Sequence, residues 1–259
     1  MCLATLGLFI LAAYAIHRRA RPGKLHLASA PRRHNNLTGL HLCLVLAVML
    51  LVPAGATDLL GKWMGQGDPR VTILVSLLSA AILLPVVLGT AWVAFPMGLA
   101  RGLGLSARHW FLDGLRAVVA YLAVFPACLL LWWLGTLFPD YHEHSMLTAL
   151  REVGAGWKAL VVFSTVVLAP VVEEIVYRGL LQSTLRNYFR GPWPTVLLAS
   201  ALFAAMHMNP HAFPALFALG VVLGYNYERT GRLLAPMLIH ALFNGVSVLN
   251  TLLYGMKGS

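Results

Sequence analysis

The 259-residue chain is 59% hydrophobic and only 11% charged, with a mean hydropathy of +0.76; this balance excludes an ordinary soluble domain and leaves lipid as the main solvent. The formal net charge of +10 does not mark a nucleic-acid surface, because Lys and Arg gather in short connectors between apolar runs and not along one amphipathic face. Cys2, Cys43 and Cys128 lie in or beside apolar segments without metal-ligand spacing, so neither a disulfide framework nor a thiolate zinc site is indicated.

A membrane-spanning helix needs about 20 mostly apolar residues. Eight such segments are predicted, at roughly 2–16, 39–57, 71–97, 114–138, 157–182, 194–209, 213–228 and 233–254, of which the first and sixth are the shortest. Ala13-Tyr14-Ala15 resembles a signal-peptide cleavage site, but no basic residue precedes the first apolar run and a dense basic run follows it, which favours an uncleaved helix. Pro53, Pro85, Pro96, Pro126, Pro170, Pro214 and Pro236 predict kinks or helix ends, which neighbouring helices can accommodate.

Eight crossings alternate sides, and cytoplasmic connectors should hold the excess Lys and Arg. Thirteen basic residues fall on one side: Arg18, Arg19, Arg21, Lys24, Arg32 and Arg33, then Arg101, Arg108 and Arg116, then Arg186 and Arg190, then Arg229 and Arg232. The other side holds five, Lys62, Arg70, Arg151, Lys158 and Lys257, together with Asp58, Asp68, Asp140, Glu143 and Glu152. The expectation is an all-α, polytopic bundle of about eight transmembrane helices with both termini outside. Its basic first connector would touch anionic membrane lipids.

Few ionisable groups fall inside the apolar runs: Glu173, Glu174 and Arg178 on the fifth, His207 on the sixth and His240 on the eighth, with Asn244 as a polar neighbour. Charge in hydrocarbon is costly, so each is a functional candidate. Glu174 and Arg178 stand at i and i+4, where an ion pair can close, and Glu173 points about 100° away. Arg178 would then neutralise Glu174 and leave Glu173 free to handle a proton. Water held between Glu173 and His207 could attack a carbonyl while His240 and Asn244 donate to the resulting oxyanion. The helix positions put Glu173 and His240 in the cytoplasmic half of the membrane and His207 somewhat deeper.

Glu173-Glu174-Ile175-Val176-Tyr177-Arg178 resembles the EExxxR motif of the CPBP family, the intramembrane glutamate proteases related to the CAAX prenyl endopeptidase. Phe203 to His207 matches its FxxxH motif and His240 to Asn244 its HxxxN motif, in the family's order, over about 80 residues of the C-terminal third. The resemblance implies that Glu173 and His207 activate water, that His240 and Asn244 form the oxyanion hole, and that Glu174 and Arg178 support the site. It further implies an all-helical core that opens toward the cytosol and laterally to lipid. Residues 1–156 are accordingly read as N-terminal transmembrane helices and 157–254 as the catalytic core.

The expected activity is an intramembrane endopeptidase of glutamic type, without cofactor or metal, acting on a peptide or lipidated protein substrate in a bacterial inner membrane. Zinc is the weaker alternative, since the two histidines do not share a helix turn as in HExxH. A non-proteolytic scaffold or self-immunity protein that keeps the fold is the competing function. A proton-coupled transporter is a third reading, disfavoured because no inverted-topology halves are visible. His26, His34, His142, His144 and His211 are expected to be solvated or interfacial, and Trp63, Trp110, Trp157 and Trp193 to form an interfacial belt. Trp132 and Trp133 are expected to lie deeper, in packing or facing lipid.

Overall fold

The computed structural model describes residues 2–20, 27, 33–135, 137 and 145–254. Arg21, Lys24, His26, Arg32, Asp140, His142, Glu143, His144 and Lys257 lie outside them, as do the side chains of Cys2 and Arg18. Among the described residues there is no β-strand. Each of the eight apolar runs is a helix: α1 (Cys2–Ala20), α2 (Gly39–Met64), α3 (Pro69–Ala94) and α4 (Trp110–Gly135). A short amphipathic helix absent from the expected set, α5 (Ser145–Glu152), comes next. The continuous 34-residue α6 (Ala155–Tyr188) is followed by α7 (Pro192–Met206), α8 (Phe213–Thr230) and α9 (Leu234–Tyr254).

Helices α2, α3, α4, α6 and α9 are each long and apolar enough to cross a membrane, which makes the chain an integral, multi-pass membrane protein. The 15 residues of α7 fall short of that length, at about 22 Å by helical rise.

Helix ends follow from local chemistry. Asp68 caps α3 by accepting from the Arg70 N–H at 2.8 Å, with Pro69 at the first helical position, where its missing N–H costs nothing. Pro192 and Pro214 open α7 and α8 in the same way. Pro96 lies just past the end of α3, so this helix stops short of the expected boundary at 97. Gly231 ends α8 in the left-handed conformation that favours glycine.

The chain alternates between two ends of the bundle. At one, the Asn36 N–H donates to the Ala94 carbonyl, Asn187 donates to Asn35, and Arg232 Nε donates to Asp113 at 2.7 Å. These contacts gather the described parts of the connectors that the sequence marks as basic. At the other end α5 packs on α3 and α9, and Gly135 closes on the His211 backbone.

Helix α6 carries two widened stretches with i→i+5 bonding, Ser164–Leu168 and Ile175–Gln182. The first precedes Pro170, which has no N–H to continue that pattern to Thr165. The orphaned Thr165 carbonyl accepts instead from Asn244 Nδ2 on α9, at 2.9 Å. A backbone irregularity thereby docks one candidate site residue.

Gly104 sits at φ +88°, and a Cβ there would collide with the Gly231 carbonyl, beside the 3.0 Å bond from the Leu233 N–H to the Gly104 carbonyl. Gly104→Val should therefore cost about 1–3 kcal/mol, read as a lower unfolding temperature of the detergent-solubilised protein. Gly114→Ala, inside α4 and with its Cβ in open space, should leave that temperature unchanged or raise it slightly.

Candidate active site

The carboxylate of Glu174 and the guanidinium of Arg178 are completely buried. Arg178 Nη1 donates to Glu174 Oε1 at 2.9 Å, the pair expected from i, i+4 spacing, and Nη2 donates to the Gly220 carbonyl on α8 at 3.2 Å. His240 Nδ1 meets the same Oε1 at 2.9 Å. A single carboxylate oxygen thus ties α6 to itself and to α9. Arg178 is also held from the side, its guanidinium carbon lying 4.7 Å from the centre of the Phe203 ring.

Phe203 is the hub that the motif pattern did not explain. It is wholly buried, and its ring packs edge-to-face against Tyr177 at 5.3 Å, His207 at 4.9 Å and His240 at 5.5 Å. A phenyl ring one turn before His207 therefore sets the orientation of both histidines and covers the buried cation.

Glu173 faces away from the pair, as helical geometry requires. Its side chain is 25% exposed, and its Oε2 takes no hydrogen bond within the described structure and lies 3.9 Å from His240 Nε2. His207 follows the last residue of α7, and its Nδ1 bonds the Phe203 carbonyl at 2.8 Å. A carbonyl only accepts, so Nδ1 carries the proton and the neutral ring keeps a lone pair on Nε2. Asn244 spends one N–H on Thr165 and retains another.

Glu173, His207, His240 and Asn244 all line one cavity of about 670 Å³. The structure thus brings together the four candidate catalytic residues, with Glu174 and Arg178 packed behind its wall. Much of the remaining wall comes from the N-terminal helices: Tyr121, Phe125, Cys128 and Trp132 of α4, Arg151 of α5 and Ser76 of α3, whose hydroxyl bonds that of Ser164 at 2.7 Å. Sequence reasoning missed these, because α4 is apolar on every side and shows no face that marks a cavity. Trp132 faces this chamber, and its neighbour Trp133 is exposed on the outside of the bundle.

One histidine departs from expectation. His211, expected to be solvated or interfacial, is buried edge-on against the Trp132 ring at 4.9 Å, because the tight connector between α7 and α8 packs into the end of α4. Among the described residues, no group of three or more His, Cys, Asp or Glu side chains is disposed to hold a metal ion.

Fold and site define a class: a helical membrane bundle with a carboxylate and two imidazoles in a chamber below the level of its surface. Residues 155–246 match the family model described as type II CAAX prenyl endopeptidase Rce1-like. All three sequence motifs fall inside the match. Over 97 residues, 36% of this chain and 39% of the relative, it is 31% identical to the membrane-embedded CAAX protease MroQ of Staphylococcus aureus. It is 33% identical over 85 residues to an uncharacterized 24.3 kDa protein of Escherichia coli, covering 31% and 39% of the two chains. It is 29% identical over 119 residues to the uncharacterized protein YpbD of Bacillus subtilis, covering 44% and 55%. The matches therefore span between 39% and 55% of these relatives. No solved structure matches the chain.

Arg178→Met leaves Glu174 as a buried carboxylate without its arginine and should cost about 3–5 kcal/mol, read as loss of monodisperse protein on size exclusion. The double variant Glu174→Leu/Arg178→Met removes both charges and should recover most of the folded yield.

Proposed function

We propose that the chain is an intramembrane endopeptidase that hydrolyses a peptide bond of a membrane-associated substrate with a water activated by Glu173 and His207. The observation that carries this reading is the convergence of Glu173 of α6, His207 at the end of α7, and His240 and Asn244 of α9 on one cavity. The match of residues 155–246 to a family model of endopeptidases supports it.

Glu173, with an oxygen unclaimed by protein donors, takes a proton from water as the water oxygen attacks the carbonyl carbon. His207 Nε2 accepts from the same water and orients it. The carbonyl oxygen becomes an oxyanion, which receives hydrogen bonds from His240 Nε2 and the second Asn244 N–H. Collapse of the tetrahedral intermediate breaks the C–N bond, and the leaving amine takes the proton back from Glu173. No covalent enzyme intermediate forms.

With Nδ1 directed at Glu174, His240 donates through Nε2 only as the imidazolium. Glu173⁻, Glu174⁻, Arg178⁺ and His240⁺ then sum to zero, so the charged ring leaves the buried cluster neutral. Two contacts on Glu174 Oε1 also make it an unattractive metal ligand. In this reading residues 157–254 are the catalytic core, 1–156 supply N-terminal helices that wall it, and the bacterial relatives support a bacterial cell membrane as its setting.

The test is cleavage of membrane peptides by purified protein. Glu173→Gln should lower the rate at least about 100-fold with the unfolding temperature retained, and Asn244→Ala by about 100- to 1000-fold. A chelator should leave the rate unchanged. Full activity of Glu173→Gln would rule out the glutamate base, and loss of activity on chelation would replace it with a metal. A folded Glu173→Gln protein that still supports the full cellular phenotype would assign the chain a scaffold role instead.

A further inference from the structure

The cavity is one-sided. Along α6 no lining residue follows Glu173, along α9 none precedes His240, along α8 none follows Leu216, and along α4 none precedes Tyr121. From that floor the chamber runs along α9 through Asn244 and Ser247 to Asn250 and Thr251. His240 to Thr251 is eleven residues, about 16 Å of helix. Asn250 and Arg151, both exposed, stand at its far end. Of the described connector residues, that end carries Asp68, Arg70, Arg151 and Glu152.

Toward the opposite, basic end the path below Glu173 is filled. Arg178, Gln182 and Tyr227 are buried; Gln182 Nε2 donates to the Gly224 carbonyl at 3.1 Å and to Glu228 at 3.2 Å. Tyr227 Oη donates to the Leu103 carbonyl at 3.0 Å, and the Arg33 guanidinium lies over the Tyr227 ring at 3.6 Å. These interactions bolt α6, α8, the 99–103 turn and the first connector together beneath the site. The hydrolytic reading does not use them.

An excess of thirteen basic residues over five assigns the sealed end to the cytoplasm. We propose that the chamber is entered from the extracytoplasmic face, and that its substrates are membrane peptides whose cleavage sites are exposed on that face. The depth of Glu173, just past the middle of α6, stays as the sequence implied; the direction of opening is reversed from the cytosolic one that the family resemblance implies. A polypeptide lipidated in the cytosol at its C-terminus would meet the bolted side. The wall fits an extended peptide with aromatic or aliphatic side chains toward Tyr121, Phe125 and Trp132 of α4 and backbone amides toward Ser247 and Asn250 of α9.

The substrate half of this proposal rests on the endopeptidase reading, but water access does not, so the test reads access. In a background with Cys2, Cys43 and Cys128 replaced by Ser, single cysteines are placed at Asn250→Cys (rim), Ser247→Cys (chamber) and Arg190→Cys (basic end). A membrane-impermeant maleimide is applied to intact bacterial spheroplasts and to inverted membrane vesicles. The expected result is labelling of N250C and S247C in spheroplasts, and of R190C only in inverted vesicles. Labelling of the two chamber sites only in inverted vesicles, labelling of R190C in spheroplasts, or protection of both chamber sites in both preparations would overturn the proposal. Inactivity of the parent enzyme would sink the hydrolytic reading and leave this labelling pattern intact.

Discussion

The fold turns on one carboxylate oxygen. Oε1 of Glu174 accepts from Arg178 on its own helix and bonds the His240 ring of α9, all without solvent. A lone charge in this environment would cost several kcal/mol, so the three groups are bound to one another by the penalty of separating them. Phe203 closes the arrangement by presenting its ring to the guanidinium and its edges and neighbours to both imidazoles. Once that knot is tied, helical geometry leaves Glu173 about a third of a turn away and directed into the cavity.

The second constraint is backbone satisfaction. At membrane depth an unpaired carbonyl has no water to bond, and irregular backbone survives only where protein or a cavity meets it. Pro170 frees the Thr165 carbonyl within a widened turn of α6, and Asn244 fills it. The same defect that interrupts α6 therefore fixes the register of α9 against it, and it leaves the second amide proton of Asn244 for the chamber. A proline and an asparagine 74 residues apart are coupled through one hydrogen bond.

The bundle treats its two ends differently, and the difference is physical and not merely topological. The basic end spends its polar side chains on one another: Arg232 and Arg116 on Asp113, Gln182 and Arg186 on Glu228, Arg33 on Tyr227. The opposite end leaves serine, threonine and asparagine facing a cavity. Helices that match no motif have a part in this, since α4 supplies the aromatic wall and α5 a section of the rim. The wall of the cavity is consequently shared between segments that the sequence presents as separate.

Composition alone was enough for the solvent, the helical class and the positions of eight helices, because hydrophobic length is a local property that lipid imposes on each segment independently. The i, i+4 pair and the isolation of Glu173 were equally legible, since both follow from the pitch of one helix. What required tertiary structure was anything decided between helices. His240 sharing an oxygen with Arg178, Phe203 serving as the hub, His211 folding inward against Trp132 and α4 lining the chamber depend on which uniformly apolar faces meet, and an all-apolar helix carries no periodic mark of its partner. The direction in which the chamber opens belongs to the same category: connector charges state which end is which, but only packing decides which end is filled.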